Sequence, residues 1–414
     1  MSALSVSAPA QERLHALDAV RGYALMLGIV FHACLSFLPT PPGMPMWIVM
    51  DNSRSVALSA LFLVLHIFRM TTFFVVAGFF AHMSLHKKGT GGFIRDRLKR
   101  IALPLVVGWP ILFAAIIAVS IWGAMVMAHG GPLPKPPAYP GFPAFPLTHL
   151  WFLWVLLLLY AGTLLIRGVV AVVDRGGHIR AAADAVVRAL VSSPLGFVVL
   201  AAPTALTFIL TPAWIQQMGI MTPDSSLVPN AAAAIGYSTA FGFGFLLHRQ
   251  TGLLEVWRRR WALNLVLAAG FITVCLAITG VVPLLAPAPH DATTAVYAVS
   301  YAFAIWTGSF AFIGLALRFL SGHSPARRYV ADASYWMYLV HVPVVMALQV
   351  ALSQLPWPWF VKFPLILAIT FPLLFASYHL FVRFSFIGAI LNGRRESRSN
   401  RAAPVHTLVQ EPAE

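Results

Sequence analysis

The sequence predicts an all-α, polytopic membrane protein of about ten transmembrane helices with both termini in the cytoplasm. Three observations predict it. The 414 residues are 59% hydrophobic and only 10% charged, far from the roughly 50% apolar and 25% charged typical of a soluble domain. The apolar residues gather in runs long enough to cross roughly 30 Å of hydrocarbon. Lys and Arg accumulate in alternate connections between those runs.

The runs extend from Asp18 to Leu38, Val56 to Leu85, Ile101 to Ala128, His149 to Ile166 and Pro194 to Leu210. They continue from Asn230 to Leu247, Ala262 to Ala286, Ala295 to Leu320, Tyr329 to Leu352 and Trp359 to Val382. One side receives Arg13, then the cluster from Lys87 to Arg100, then Arg167 to Arg188, Arg249 and Arg258 to Arg260, Arg318 to Arg328, and Arg383 to Arg401. The opposite connections hold only Arg54, Lys135 and Lys362. By the positive-inside rule the first side is cytoplasmic.

The expected organisation is a cytoplasmic N-terminal segment (1–17), a ten-helix membrane domain (18–390) and a disordered basic cytoplasmic tail (391–414). The first apolar run is too long for a signal peptide and is read as a retained span. A net charge of +15 would suggest nucleic acid in a soluble protein, but here it is dispersed between apolar segments as topology determinants beside anionic lipid. No nucleic-acid partner is expected. Cys34 and Cys275 lie in separate apolar runs, so neither a disulfide framework nor a zinc pattern is present, and no metal is expected. The absence of an internal repeat disfavours transporter folds built from repeated halves. The Pro-rich connection after the third run carries Tyr139, Phe142 and Phe145, which suit either sugar stacking or a stiff surface link. Arg175 to Ser193 reads as an amphipathic helix on the cytoplasmic face.

An ionisable side chain within a span costs roughly 2.5 kcal/mol or more. Few are present: His32 in the first run, His66 and Arg69 in the second, His341 in the ninth and His379 in the tenth, with His82 and His149 nearer span ends. Arg21 and His32 are eleven positions apart, which returns to nearly the same helix face roughly 16 Å deeper. Asp18, three residues before Arg21, can pair with it. At this level His32 fits both a functional imidazole and one satisfied by a neighbouring helix. His66 and Arg69 share a face one turn apart, and a mid-membrane guanidinium must meet a partner or a wet cavity. Arg95, Arg97, Lys99 and Arg100 make the densest basic patch, and close-set Arg residues grip phosphates. Cys34 is about 200° around the helix from His32, so the two cannot form a nucleophile–base pair.

The motifs resemble those of the membrane acyltransferase 3 family. LDAVRGYALMLGIVFH is similar to its first-span D-x-x-R-G…H signature, FFVVAGFF to its FFxxSGFF with Ala77 in place of Ser, and FIRDRLKRIALPLVVG to its F-x-x-R-x-x-R-I-x-x-P stretch. HLWFLWVLLLLY resembles its WFL segment and ASYWMYLVHVPVV its S-Y-x-x-Y-L-x-H segment. FRMTTFFVVAGFF further resembles the branch that includes periplasmic-glucan succinyltransferases, with Thr71 where Pro is common. The resemblance implies an enzyme of the bacterial inner membrane that moves an acyl group from cytoplasmic acyl-CoA, succinyl-CoA or acetyl-CoA, to a hydroxyl of an extracytoplasmic saccharide such as a periplasmic glucan. It implies no permanently bound cofactor, and homo-oligomeric assembly is left open. Under this reading His32 is the general base, with Arg69, His66 and Asp18 as further catalytic candidates and His341 behind them. Arg21, Arg97, Arg100 and Lys99 would bind the donor. Transport of a solute or lipid-linked sugar without acyl transfer is the alternative.

Overall fold

A computed structural model describes residues 8–41, 46–133, 135, 140–212 and 214–393. Tyr139 and the tail from residue 394 lie outside these, as does the N-terminal segment before residue 8. The described chain is all helical apart from its connections. In order it forms α1 (Ala8–Cys34), α2 (Val56–Arg97), α3 (Leu103–Ala128), α4 (Trp151–Val173), α5 (His178–Ser192) and α6 (Gly196–Leu210). There follow α7 (Ala231–Leu247), α8 (Leu254–Thr279), α9 (Ala292–Phe319), α10 (Pro325–Leu352), α11 (Trp359–Ser377) and the short α12 (Phe386–Leu391).

Among the described residues, seven helical stretches are long and apolar enough to cross a membrane, or eight when α5 and α6, bent by 103° at their junction, count as one broken span. Two stretches hold more than one element. Val56–Ala128 joins α2 to α3 through a π-helical turn at Leu98–Ala102, with a break at Gly89 where φ is +67°. Ala231–Thr279 joins α7 to α8 through non-helical backbone at Gln250 and Arg260.

The apolar window of α9 is 78% buried within the protein and that of α1 61%, whereas the window of the α2–α3 stretch is 11% buried. Thus α9 and α1 are central, and α3 turns Val106, Ile111, Ile121 and Met125 outward, as suits lipid-facing surface in a bilayer solvent. Close packing near the centre depends on small residues. A Cβ on Gly78 of α2 would stand 2.0 Å from the Phe241 carbonyl oxygen, and one on Gly244 of α7 1.9 Å from that of Val75. α2 and α7 can cross this closely only with glycine at both points.

Beyond the C-terminal end of α1, residues 46–55 form a roof fixed by a buried ion pair. Lys362 Nζ, at the start of α11, lies 2.9 Å from Asp51 Oδ1, and both side chains are essentially inaccessible. The ammonium also donates to Asn52 Oδ1 and the Ser353 carbonyl. Burial pushes the Asp51 carboxyl above its ordinary value against the pull of the Ser53 amide and Lys362. The pair is therefore costly to desolvate and costlier still to break. Lys362→Met should lower unfolding stability in detergent by about 3–5 kcal/mol, and adding Asp51→Asn should restore most of the loss. A single variant as stable as wild type would contradict the buried pair.

Candidate active site

Two chambers follow one another along α1. The first, about 360 Å³, lies by the N-terminal half of α1 and the far end of α2. Arg21, Lys87, Lys88, Arg97 and Arg100 line it, with Asp18 the acidic residue of the lining. The second, about 330 Å³, lies by the C-terminal half of α1 and contains His32, His66, Arg69, His149 and His341. Leu391 and Asn392 also border the basic chamber, so the two ends of the described chain lie at the same end of the bundle.

The histidine chamber is built from α1, α2, α10 and the turn that starts α4. His32 Nδ1 lies 2.9 Å from the Gly28 carbonyl oxygen and 2.9 Å from His341 Nε2, while His341 Nδ1 lies 2.7 Å from the Tyr338 carbonyl oxygen. A carbonyl only accepts, so in the neutral pair both Nδ1 atoms carry hydrogen. His341 Nε2 then accepts from His32 Nδ1–H, which assigns the bare lone pair of His32 to Nε2. That nitrogen is the one left for a substrate. His341 fixes the ring's tautomer in the way a carboxylate does in a hydrolase triad.

His149 stands over the same pair, its ring centroid 5.5 Å from that of His341, and its Nε2 donates to the Leu339 carbonyl. Thr148 before it has φ of +53°, an unusual backbone for a β-branched residue. The turn is held by the Thr148 amide bonding to the Asp224 carbonyl, and by neighbouring bonds from Phe145 to Ser225 and from Leu227 to Pro143. Gln349 of α10 donates to the carbonyls of His32 and Ala33 at the end of α1, and accepts from the Trp47 indole. The roof is thereby tied to the helix end that carries His32.

Arg69 is 9% exposed. Its guanidinium rests 4.9 Å from the centroid of the Phe31 ring, and its Nε is buried without a hydrogen-bond partner. No ion pair reaches it among the described residues. The other face of Phe31's surroundings is His66, stacked at 5.5 Å. His66 Nε2 donates to the Met218 carbonyl, leaving Nδ1 buried and unpaired. Gly28 makes room for the cation: a Cβ there would lie 2.9 Å from an Arg69 terminal nitrogen. A cation with no ion-pair partner among the described residues thus borders the same chamber as His32, with the buried His66 ring beside it. Such a set can take a hydroxyl proton and hold a developing oxyanion.

In the basic chamber, Arg97 pairs with Asp96 at 2.8 Å, donates to Ser84 Oγ and lies over the Phe93 and Tyr160 rings. Arg100 donates to the Leu391 carbonyl, and Arg21 pairs with Asp18 at 3.2 Å. Lys99 is exposed and is not part of the lining, whereas Lys87 and Lys88 are. Asp18 is separated from His32 by fourteen positions, roughly 21 Å of helix, so it belongs with the basic chamber. His379 meets Tyr329, and His82 meets His248 at 2.8 Å, both outside the two chambers. Phe145 packs on Trp109, Phe142 is exposed, and Cys34 is buried outside the lining. Among the described residues no group of His, Cys, Asp or Glu is placed to hold a metal ion.

The sequence places His341 behind His32 and sets His149 near a span end, and it does not single out Tyr338, Gln349 or Trp47. The S-Y-x-x-Y-L-x-H stretch did carry Tyr338 and His341 one turn apart. Trp47 lies in a connection without periodicity and gave no signal.

The family pattern of an acyltransferase domain, acyltransferase 3, matches residues 14–379, which takes in the histidine chamber and the basic chamber's lining apart from Leu391 and Asn392. The chain belongs to the acyltransferase 3 family. Within curated proteins it is similar to glucans biosynthesis protein C of Escherichia coli strain SMS-3-5, 32% identical over 104 residues that make up 25% of this chain and 26% of that protein. The same-named proteins of Shigella dysenteriae serotype 1 and E. coli K12 are each 31% identical over 104 residues, with the same coverage. The chain thus matches about a quarter of the length of these relatives. No solved structure matches. In this acyltransferase 3 protein, exchange of an unneutralised buried cation for an apolar side chain should stabilise the fold. Arg69→Met is expected to raise unfolding stability by about 1–4 kcal/mol while abolishing acyl transfer. A destabilised Arg69→Met would mean that the guanidinium serves packing.

Proposed function

We propose that this protein is an O-acyltransferase of a bacterial inner membrane, taking an acyl group from cytoplasmic acyl-CoA to a saccharide hydroxyl on the other side. The observation that carries the reading is the Arg69 guanidinium, without an ion pair among the described residues, in one chamber with the His32–His341 pair, next to a chamber lined by five cations. Ten spans suit this reading. Helices of 73 and 49 residues would be roughly 110 Å and 74 Å long, which supports two crossings for each of these stretches. Counting the bent pair as one further span gives ten in this reading, and the alternation of Lys and Arg supports both termini in the cytoplasm.

The phosphates of coenzyme A would sit against Arg97, Arg100 and Arg21, with Lys87 and Lys88 nearer the mouth than Lys99. Its thin pantetheine arm runs along α1 toward His32. The acceptor hydroxyl gives its proton to His32 Nε2 as its oxygen attacks the thioester carbon. Arg69 stabilises the tetrahedral oxyanion. The carbon–sulfur bond then breaks, and the leaving thiolate takes the proton back from the imidazolium. The products are an O-acyl ester and free coenzyme A. Succinyl and acetyl donors both suit these residues, and the partial likeness to the glucans biosynthesis proteins favours a periplasmic glucan as acceptor.

Two outcomes are expected in reconstituted membranes. His32→Ala should lower kcat by roughly 10²–10⁴-fold, and full activity would overturn the assignment. Arg97→Ala combined with Arg100→Ala should raise the KM for the donor at least tenfold with the acceptor KM unchanged. Equal effects on both would remove the phosphate role.

A further inference from the structure

The two chambers are separated by a single layer of side chains. Leu25 of α1, Phe73 of α2, Phe152 of α4 and Tyr338 of α10 each line both. The three rings interlock edge to face, Phe73 to Phe152 at 4.6 Å and Phe152 to Tyr338 at 5.9 Å between centroids. Each is less than a tenth exposed. The only polar side-chain atom in the layer is the Tyr338 hydroxyl, and it donates to the His149 carbonyl at 2.8 Å. The layer therefore offers no spare donor, and only the phenolic oxygen as an acceptor, from which a water chain could start. Four different helices contribute one side chain each, so the layer joins α1, α2, α4 and α10.

We propose that these four side chains form a septum that the acyl-bearing arm of the donor parts as it binds, and that the closed septum keeps water and protons from passing between the chambers. The donor role rests on the acyl-transfer reading above. The barrier role does not, since any protein with water-filled chambers in line needs a dry layer between them. Two consequences follow for the chemistry. Water that crossed the layer would compete with the acceptor: its oxygen would attack the thioester carbon, the carbon–sulfur bond would break, and a carboxylic acid and free thiol would result. The layer also limits the acyl group, because a bulkier chain must displace more of four side chains. Tyr338 acts in a second way, since its carbonyl holds His341; parting the septum and aligning the histidine pair are thereby joined in one residue of α10.

The septum is tested with the whole chain in proteoliposomes that enclose a pH-sensitive dye, first with no donor present. Leu25→Ala combined with Phe152→Ala should raise the passive proton leak at least tenfold over wild type. With donor but no acceptor, the same variant should release free thiol at least tenfold faster. Leu25→Phe should keep the leak at the wild-type level and slow transfer of longer acyl groups at least fivefold at unchanged donor KM. Should the double variant fail to fold, Phe152→Leu gives the same reading at threefold or more. Wild-type leak and wild-type hydrolysis in a folded widened variant would overturn the proposal. Loss of the acyl-transfer reading would show differently, as a wild-type protein that transfers no acyl group while the widened variants still leak.

Discussion

A guanidinium held in the middle of a membrane protein without a counter-ion is the constraint around which this structure is arranged. Insertion of such a charge costs about 2.5–3.5 kcal/mol even with relaxation, and the ordinary remedy is a carboxylate or a set of carbonyl acceptors. Arg69 has neither among the described residues; it has the face of Phe31 and the space left by Gly28. The cost is offset only when something negative enters the chamber. A transition state that develops charge on oxygen is such a thing, and stabilisation confined to that moment is what accelerates a reaction. The neighbouring histidines suit the same event, since a second cation beside Arg69 is unfavourable until a proton has somewhere to go.

The scaffold makes this arrangement rigid from both ends. Below, α1 carries Arg21 and His32 on one face and packs between α2 and α10. Above, the Asp51–Lys362 pair fixes the roof, the roof sets Trp47, and Trp47 with Gln349 holds the end of α1. Loop contacts between residues 143–148 and 224–227 set the strained turn that carries His149. His32, His66, His149 and His341 are each fixed by a hydrogen bond that reaches another helix or loop, and Arg69 rests on the Phe31 ring.

Much of this was legible in the chain, and the part that was not has a physical cause. Helical periodicity alone put Arg21 and His32 on one face and His66 beside Arg69, because both relations are local and follow from 100° per residue. The same geometry excluded Cys34 from His32, and the structure leaves that thiol buried outside the lining. His341 and His149 gave little signal because their meaning is tertiary: His341 is 309 positions from the histidine it orients. Lys99 looked equivalent to Arg97 and Arg100 in sequence, yet the π-helical turn through Leu98–Ala102 leaves it exposed while its neighbours reach the chamber. Asp18 was legible as a partner of Arg21, and its fourteen-position separation from His32, roughly 21 Å of helix, already sets it apart from the histidine chamber. The span count depended on where long helices bend, and residues such as Gly89 and Gln250 mark those bends only once backbone angles are known.

The central claim is that acyl transfer occurs between sites reached from opposite sides of the membrane. The most direct measurement seals a saccharide acceptor inside proteoliposomes of uniformly oriented protein and supplies labelled acyl-CoA outside, at the face bearing the basic chamber. Labelled O-acyl saccharide should accumulate inside while coenzyme A is released outside, with none formed when the protein is oppositely oriented. Acylation only when donor and acceptor share one compartment would contradict the account.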